Sequence, residues 1–114
     1  MTWPASLEYL GEKSFSGTAI GNLWLPQVAQ MGEGAFYNCT KLTYVELAKG
    51  TTALAEEAFR RCKALKIIWL PDTLTAIGRR AFEGCSALEE VHMPQGVTLG
   101  NGAFNSTPLA DQYK

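Results

Sequence analysis

Cys39, Cys62 and Cys85 recur at a constant interval of 23 residues, and this interval constrains the fold more than any other feature of the chain. A fixed period in the twenties calls for a solenoid, since one such unit cannot enclose its own apolar side but stacked copies can. Three segments align without gaps: MGEGAFYNCTKLTYVELA from Met31, LAEEAFRRCKALKIIWLP from Leu54 and IGRRAFEGCSALEEVHMP from Ile77. Partial copies flank them, beginning at Leu10 and Leu99, and the opening WPASLEYLG matches LPDTLTAIG at Leu70 to Gly78. All five phenylalanines (Phe15, Phe36, Phe59, Phe82, Phe104) fall in one slot, and Pro4, Pro26, Pro71 and Pro94 share another. The expected organisation is a single domain over residues 1–114, with about five repeats of 21–23 residues and both ends truncated mid-repeat.

Each copy has two physical parts. Leu42-x-x-Val45-x-Leu47 ends in the period-2 alternation of a half-buried strand, and Ile20/Leu23/Leu25, Leu65/Ile68/Leu70 and Leu88/Val91/Met93 repeat it. Proline after the strand removes a ladder donor and ends the pairing. A polar turn follows, then an apolar residue and usually a glycine, as in Ile77-Gly78 and Leu99-Gly100. The Ala-Phe pair comes next, in a stretch about one helical or 3₁₀ turn long. Coils stacked about 4.8 Å apart would gather the phenylalanines into one buried column with the cysteines beside it.

The pattern I-G-x-x-A-F-x-x-C-x-x-L-x-x-V-x-L-P resembles the BspA-like class of leucine-rich repeats over nearly the whole chain. The resemblance implies an α/β repeat solenoid: a right-handed coil with a parallel β-sheet on the concave face and short strands, 3₁₀ or helical turns on the convex face. It also implies a surface-exposed adhesion or recognition protein, at the cell surface or secreted. The opening MTWPASLEYL has neither the charged nor the apolar region of a secretion signal. The first and last copies depart from the pattern, with Thr18 and Thr107 in place of the cysteine. Near the C-terminus Gln112 and Lys114 replace the strand leucines, as in a blunted edge strand or a degenerate tail, whereas Trp3 sits uncapped in the slot of Leu70. Neighbouring subunits at the open solenoid ends, or a longer parent chain, are therefore expected.

Most chemistry is excluded by what the residues lack. A net charge of −1 gives no general pull on nucleic acid or anionic membranes, and no apolar run reaches membrane-spanning length. Three cysteines cannot close a disulfide framework, and thiols in equivalent slots stand side by side, a poor disulfide geometry. They are expected to be buried, reduced and unliganded. His92 is the single histidine, so nucleophilic pairing would have to use it, and no other group completes such a site. Met31-Gly32-Glu33-Gly34 lacks the lysine and the setting of a phosphate loop. Arg60, Arg61, Arg79 and Arg80 cluster on the turns, but Glu56, Glu57 and Glu83 occupy matching slots in adjacent copies and should pair with them. Asn38 and Asn105 begin glycosylation acceptor patterns, which matter only in a secretory pathway. No catalytic residue, cofactor or metal site is assigned.

The outer face of the strands is different. If Val45 and Leu47 point inward, strict alternation turns Tyr44 and Glu46 outward. One outward column then reads Asn22, Tyr44, Ile67, Glu90, and the next reads Trp24, Glu46, Trp69, His92. Aromatic residues at this density on an open face resemble a binding hot spot. The expected function is a non-catalytic protein-binding module, with Trp24, Tyr44, Glu46, Ile67, Trp69 and His92 as partner-binding residues. The partner is another protein or a glycan-bearing macromolecule at the concave face. A scaffolding subunit within a larger assembly is the alternative.

Overall fold

The computed structural model describes residues 6–7, 15–17, 20–28 and 31–110. Trp3, Pro4, Thr18, Gln112 and Lys114 lie outside the described residues. Alternation of apolar and polar side chains builds the main sheet. It contains β2 (Asn22–Leu25), β4 (Tyr44–Leu47), β6 (Ile67–Trp69) and β8 (Glu90–His92), all parallel, in the order β2-β4-β6-β8. Every coil returns in the same direction, so residues one repeat apart become neighbours: Val45 pairs with Leu23 and Ile68, and Ile68 with Val91. A second parallel sheet lies across the core, with β5 (Ala53–Leu54), β7 (Ala76–Ile77) and β9 (Thr98–Leu99) in that order. A short pair, β1 (Ser6–Leu7) with β3 (Gln27–Val28), is likewise parallel.

Inward strand residues Leu23, Leu25, Val45, Leu47, Ile68 and Leu70 bury against Leu54 and Ile77 of the second sheet. Between the sheets runs the expected phenylalanine column. Phe15, Phe36, Phe59, Phe82 and Phe104 stack ring on ring, with centroids 5.2–5.5 Å apart. Phe36, Phe59, Phe82 and Phe104 are buried, while Phe15 in the first described coil is only partly so.

Of the short strands, 3₁₀ or helical turns expected opposite the main sheet, the short strands are present as β5, β7 and β9, but among the described residues there is no helix of either kind. The backbone hydrogen bonds give the reason. A helix bonds successive N–H groups to carbonyls three or four residues back, at negative φ. Here the N–H groups of Gly34, Phe36 and Asn38 donate instead to the carbonyls of Glu56, Ala58 and Arg60 in the next coil, at 2.8–2.9 Å. Only the intervening Ala35 and Tyr37 bond back, to Gly32 and Gly34. The same ladder joins Glu57, Phe59 and Arg61 to Arg79, Ala81 and Glu83. Aiming alternate donors outward requires left-handed residues on both sides of the Ala-Phe pair. Gly34 (φ 64°) and Asn38 (φ 59°) supply them in one coil, and Glu57 (φ 59°) and Arg61 (φ 64°) in the next.

The coils also meet backbone to backbone. A β-carbon on Gly78 would stand 2.6 Å from the Ala55 carbonyl carbon and the Glu56 nitrogen. The recurring glycine thus permits close approach rather than a special dihedral angle.

Candidate functional site

The strand phase read from sequence is the phase observed. With Leu23, Leu25, Val45 and Leu47 buried, the alternate residues of β2 and β4 face away from the core. The register assembles the two outward columns rung by rung: Asn22 beside Tyr44, Ile67 and Glu90, and Trp24 beside Glu46, Trp69 and His92. Trp24 is 57% exposed and Trp69 44% exposed, the two large apolar side chains left in solvent among the described residues. Tyr44, Ile67 and His92 are half-buried, and Glu46 is exposed.

All six sequence-selected residues therefore share one face, and the structure adds how they touch. The Tyr44 ring lies against Trp24, with centroids 5.5 Å apart and planes tilted by 46°. Its hydroxyl donates to Glu46 Oε1 at 2.7 Å, and the Glu46 carboxylate raises the Tyr44 pKa by favouring the protonated phenol. Trp69 stacks flat on His92, and His92 Nε2 pairs with Glu90 Oε2 at 2.8 Å. A shallow depression of about 280 Å³ opens beside this stack, lined by Trp69, Leu70, Asp72, His92, Met93 and Pro94. Asp72, Met93 and Pro94 were missed in the sequence. They follow the strand ends, where the alternation that revealed the columns stops.

The opposite, turn-bearing surface neutralises itself. Arg60 bridges Glu57 at 3.1 Å in its own coil and Glu83 at 2.8 Å in the next. Arg80 reaches Glu83 at 3.5 Å, and Arg79 reaches Glu56 at 3.7 Å. Arg60 also lies 6.0 Å over the Tyr37 ring. Of the pairs expected between adjacent copies, Arg60–Glu83 and Arg79–Glu56 are present, whereas Glu57 and Arg80 each find a partner within their own coil instead of each other. The exposed Arg79–Glu56 pair contributes less than about 1 kcal/mol. Asn38 and Asn105 are exposed on the same turns.

The cysteines are buried thiols, and they have a task beyond filling space. Each thiol donates to the backbone carbonyl of the phenylalanine one coil earlier: Cys39 to Phe15 at 3.1 Å, Cys62 to Phe36 at 3.2 Å and Cys85 to Phe59 at 3.1 Å. At Cys62 the neighbouring Cys39 thiol works to lower the pKa, but the Cys85 thiol and desolvation outweigh it, and the net shift is upward. Such a thiol is a poor nucleophile. Among the described residues no group of three or more His, Cys, Asp or Glu is placed to hold a metal ion. Nor is any helix among them long and apolar enough to cross a membrane.

Comparison with known proteins agrees with this geometry. The sequence model of the BspA type leucine rich repeat region matches residues 1–110 in six copies. No curated protein sequence matches the chain. A leucine-rich repeat protein from Bacteroides ovatus, known from its crystal structure, superposes with a TM-score of 0.55 at 23% identity, over 93% of this chain. The match spans only 40% of that protein, and it speaks to the fold alone.

Proposed function

Because the chain belongs to the BspA-type leucine-rich repeat family, whose fold is typically non-enzymatic and generally protein-binding, we propose that it is a protein-recognition module working through the open face of its main sheet. The observation that carries this reading is the pair of solvent-facing tryptophans in one strand column, Trp24 and Trp69, beside Tyr44, Ile67, Glu46 and His92. The core does not use these rings, and leaving them wet forfeits roughly 25 cal/mol for each square ångström of apolar surface. A partner covering the face recovers that energy. On the family's pattern this is the concave side of a right-handed coil, on a cell-surface adhesion or recognition protein. No catalytic step is assigned to the chain. The test is to recover the binding protein from native lysate with the intact chain, purify it, and compare its affinity for the wild type, Trp24→Ala and Trp69→Ala.

A second reading, a scaffolding subunit, draws on the last described coil. Val97, Leu99 and Leu109 are only half-buried there, beside a depression of about 320 Å³ lined in part by Leu99, Ala103 and Ala110. A further unit docked on that end would cover them. The mass of the chain in solution separates the readings: a monomer that binds its partner supports the module, and obligate assembly supports the subunit.

A further inference from the structure

We infer that the space between Trp24 and Trp69, floored by Glu46, seats a cationic side chain, an arginine guanidinium or a lysine ammonium, from a partner protein segment. This rests on the reading of the strand face as a recognition surface and specifies what that surface takes.

The register puts Glu46 one rung from each tryptophan, Trp24 on one side and Trp69 on the other. Rungs of a parallel sheet stand about 4.8 Å apart, so a cation above Glu46 falls within the roughly 6 Å over which an indole attracts positive charge. His92 occupies the rung beyond Trp69 and lies against that ring at 3.6 Å, within 5° of parallel. One indole face is thus covered, the ring is held upright, and its other face is turned toward the rung of Glu46. From the same strand as Glu46, Tyr44 packs against Trp24 and donates its hydroxyl to Glu46 Oε1, so a neutral donor restrains the carboxylate beside the Trp24 rung.

Charge selects the occupant. On the turn surface Glu56, Glu57 and Glu83 each have an arginine partner. Glu46 is exposed, and its hydrogen bond is to a neutral phenol; among the described residues no cation pairs with it. The two outward columns hold Glu46 and Glu90 and no lysine or arginine, and His92 is engaged with Glu90. Asp72 adds a further carboxylate in the depression beside Trp69. Lys49 and Lys66 stand outside these columns. A neutral sugar stacked on the indoles would cover a carboxylate with nothing of opposite charge, a desolvation cost that a guanidinium or ammonium offsets.

The test titrates the intact chain with an acetylated, amidated Gly-Gly-Arg-Gly-Gly peptide, its citrulline counterpart and maltohexaose, following the tryptophan indole N–H signals by nuclear magnetic resonance. The arginine peptide should shift the Trp24 and Trp69 signals saturably, and the citrulline peptide, equal in shape but uncharged, should bind at least about tenfold more weakly. Glu46→Gln should lower arginine-peptide affinity by about the same factor with an unchanged melting midpoint, while Glu89→Gln should leave it intact. Equal binding of the arginine and citrulline peptides would overturn the inference. So would absence of saturable arginine binding, saturation by maltohexaose alone, or full affinity in Glu46→Gln. Should Glu46→Gln fail to fold, the two peptides on the wild-type chain still decide the matter. Each of these failures leaves the recognition face standing if Trp69→Ala still weakens the purified binding protein.

Discussion

Trp69 lies flat on His92, with ring centroids 3.6 Å apart and planes within 5°, and the two residues are direct neighbours across β6 and β8. The contact shows how a repeat with a fixed core still varies its face. The inward slot holds Leu23, Val45, Ile68 and Val91, all branched apolar residues packed in or against the core, whereas the outward slot reads tryptophan, glutamate, tryptophan, histidine. Packing dictates the first set and leaves the second free to vary.

The phenylalanine column supports the stack along its length. Phe59→Ala should cost about 3–5 kcal/mol, because it opens a cavity between two stacked neighbours. Phe104→Ala should cost less, since that ring stacks on Phe82 in a coil whose neighbours Leu99 and Leu109 are only half-buried. Chemical denaturation of both variants checks the order, and equal losses would count against a column supported from both sides.

Thiol chemistry should be silent in the folded protein. Cys39, Cys62 and Cys85 are buried donors to phenylalanine carbonyls, so a thiol reagent should find little to modify until denaturant releases all three. The raised pKa of Cys62 adds a pH signature. The unfolded thiol ionises from about pH 8.5 upward while the folded thiol keeps its proton. Above that pH the unfolded state binds fewer protons than the native state, so stability should fall as pH rises. Cys62→Ala should flatten this alkaline slope in denaturation midpoints measured across the range. A slope unchanged by the substitution would place its origin elsewhere.

Gly78 marks where adjacent coils touch. A methyl group there would meet the Ala55 and Glu56 backbone at 2.6 Å, so Gly78→Ala should destabilise by about 1–3 kcal/mol. Arg61 offers the opposite change. It holds φ at 64° in the slot that Asn38 and Gly84 fill in neighbouring coils, and it is exposed. Arg61→Asn should relieve left-handed strain and stabilise by up to about 1 kcal/mol. Thermal melts of the two variants should therefore move in opposite directions.

The period and the alternation made the parallel register, the phenylalanine stack and the outward columns legible in the chain, because each depends only on which residues share a slot. The turns opposite the strands were misread for a definite reason. Ala35-Phe36 and its relatives look like a short helical turn locally, but alternate donors, Gly34, Phe36 and Asn38 in this coil, serve the next one, and that competition is invisible within one copy. Its trace was present: Gly17, Gly34, Gly84 and Gly102 recur in the two left-handed slots, obscured where Glu57, Arg61 and Arg80 take the same dihedral. At the face, Trp24, Tyr44, Glu46, Ile67, Trp69 and His92 could be named from alternation alone. The Trp69–His92 stack and the Tyr44–Glu46 bond could not, since both depend on side-chain rotamers.

On the proposed function, the tryptophans of the main sheet carry recognition while the core carries stability. The most direct measurement is the dissociation constant of the purified binding protein for the wild type, Trp69→Ala and a turn-surface control, Arg79→Ala, with melting midpoints recorded for each. Trp69→Ala should lose at least about 2 kcal/mol of binding, roughly thirtyfold in affinity, at nearly unchanged stability, while Arg79→Ala should bind like the wild type. Wild-type affinity in Trp69→Ala together with a loss in Arg79→Ala would contradict it and move recognition to the turns.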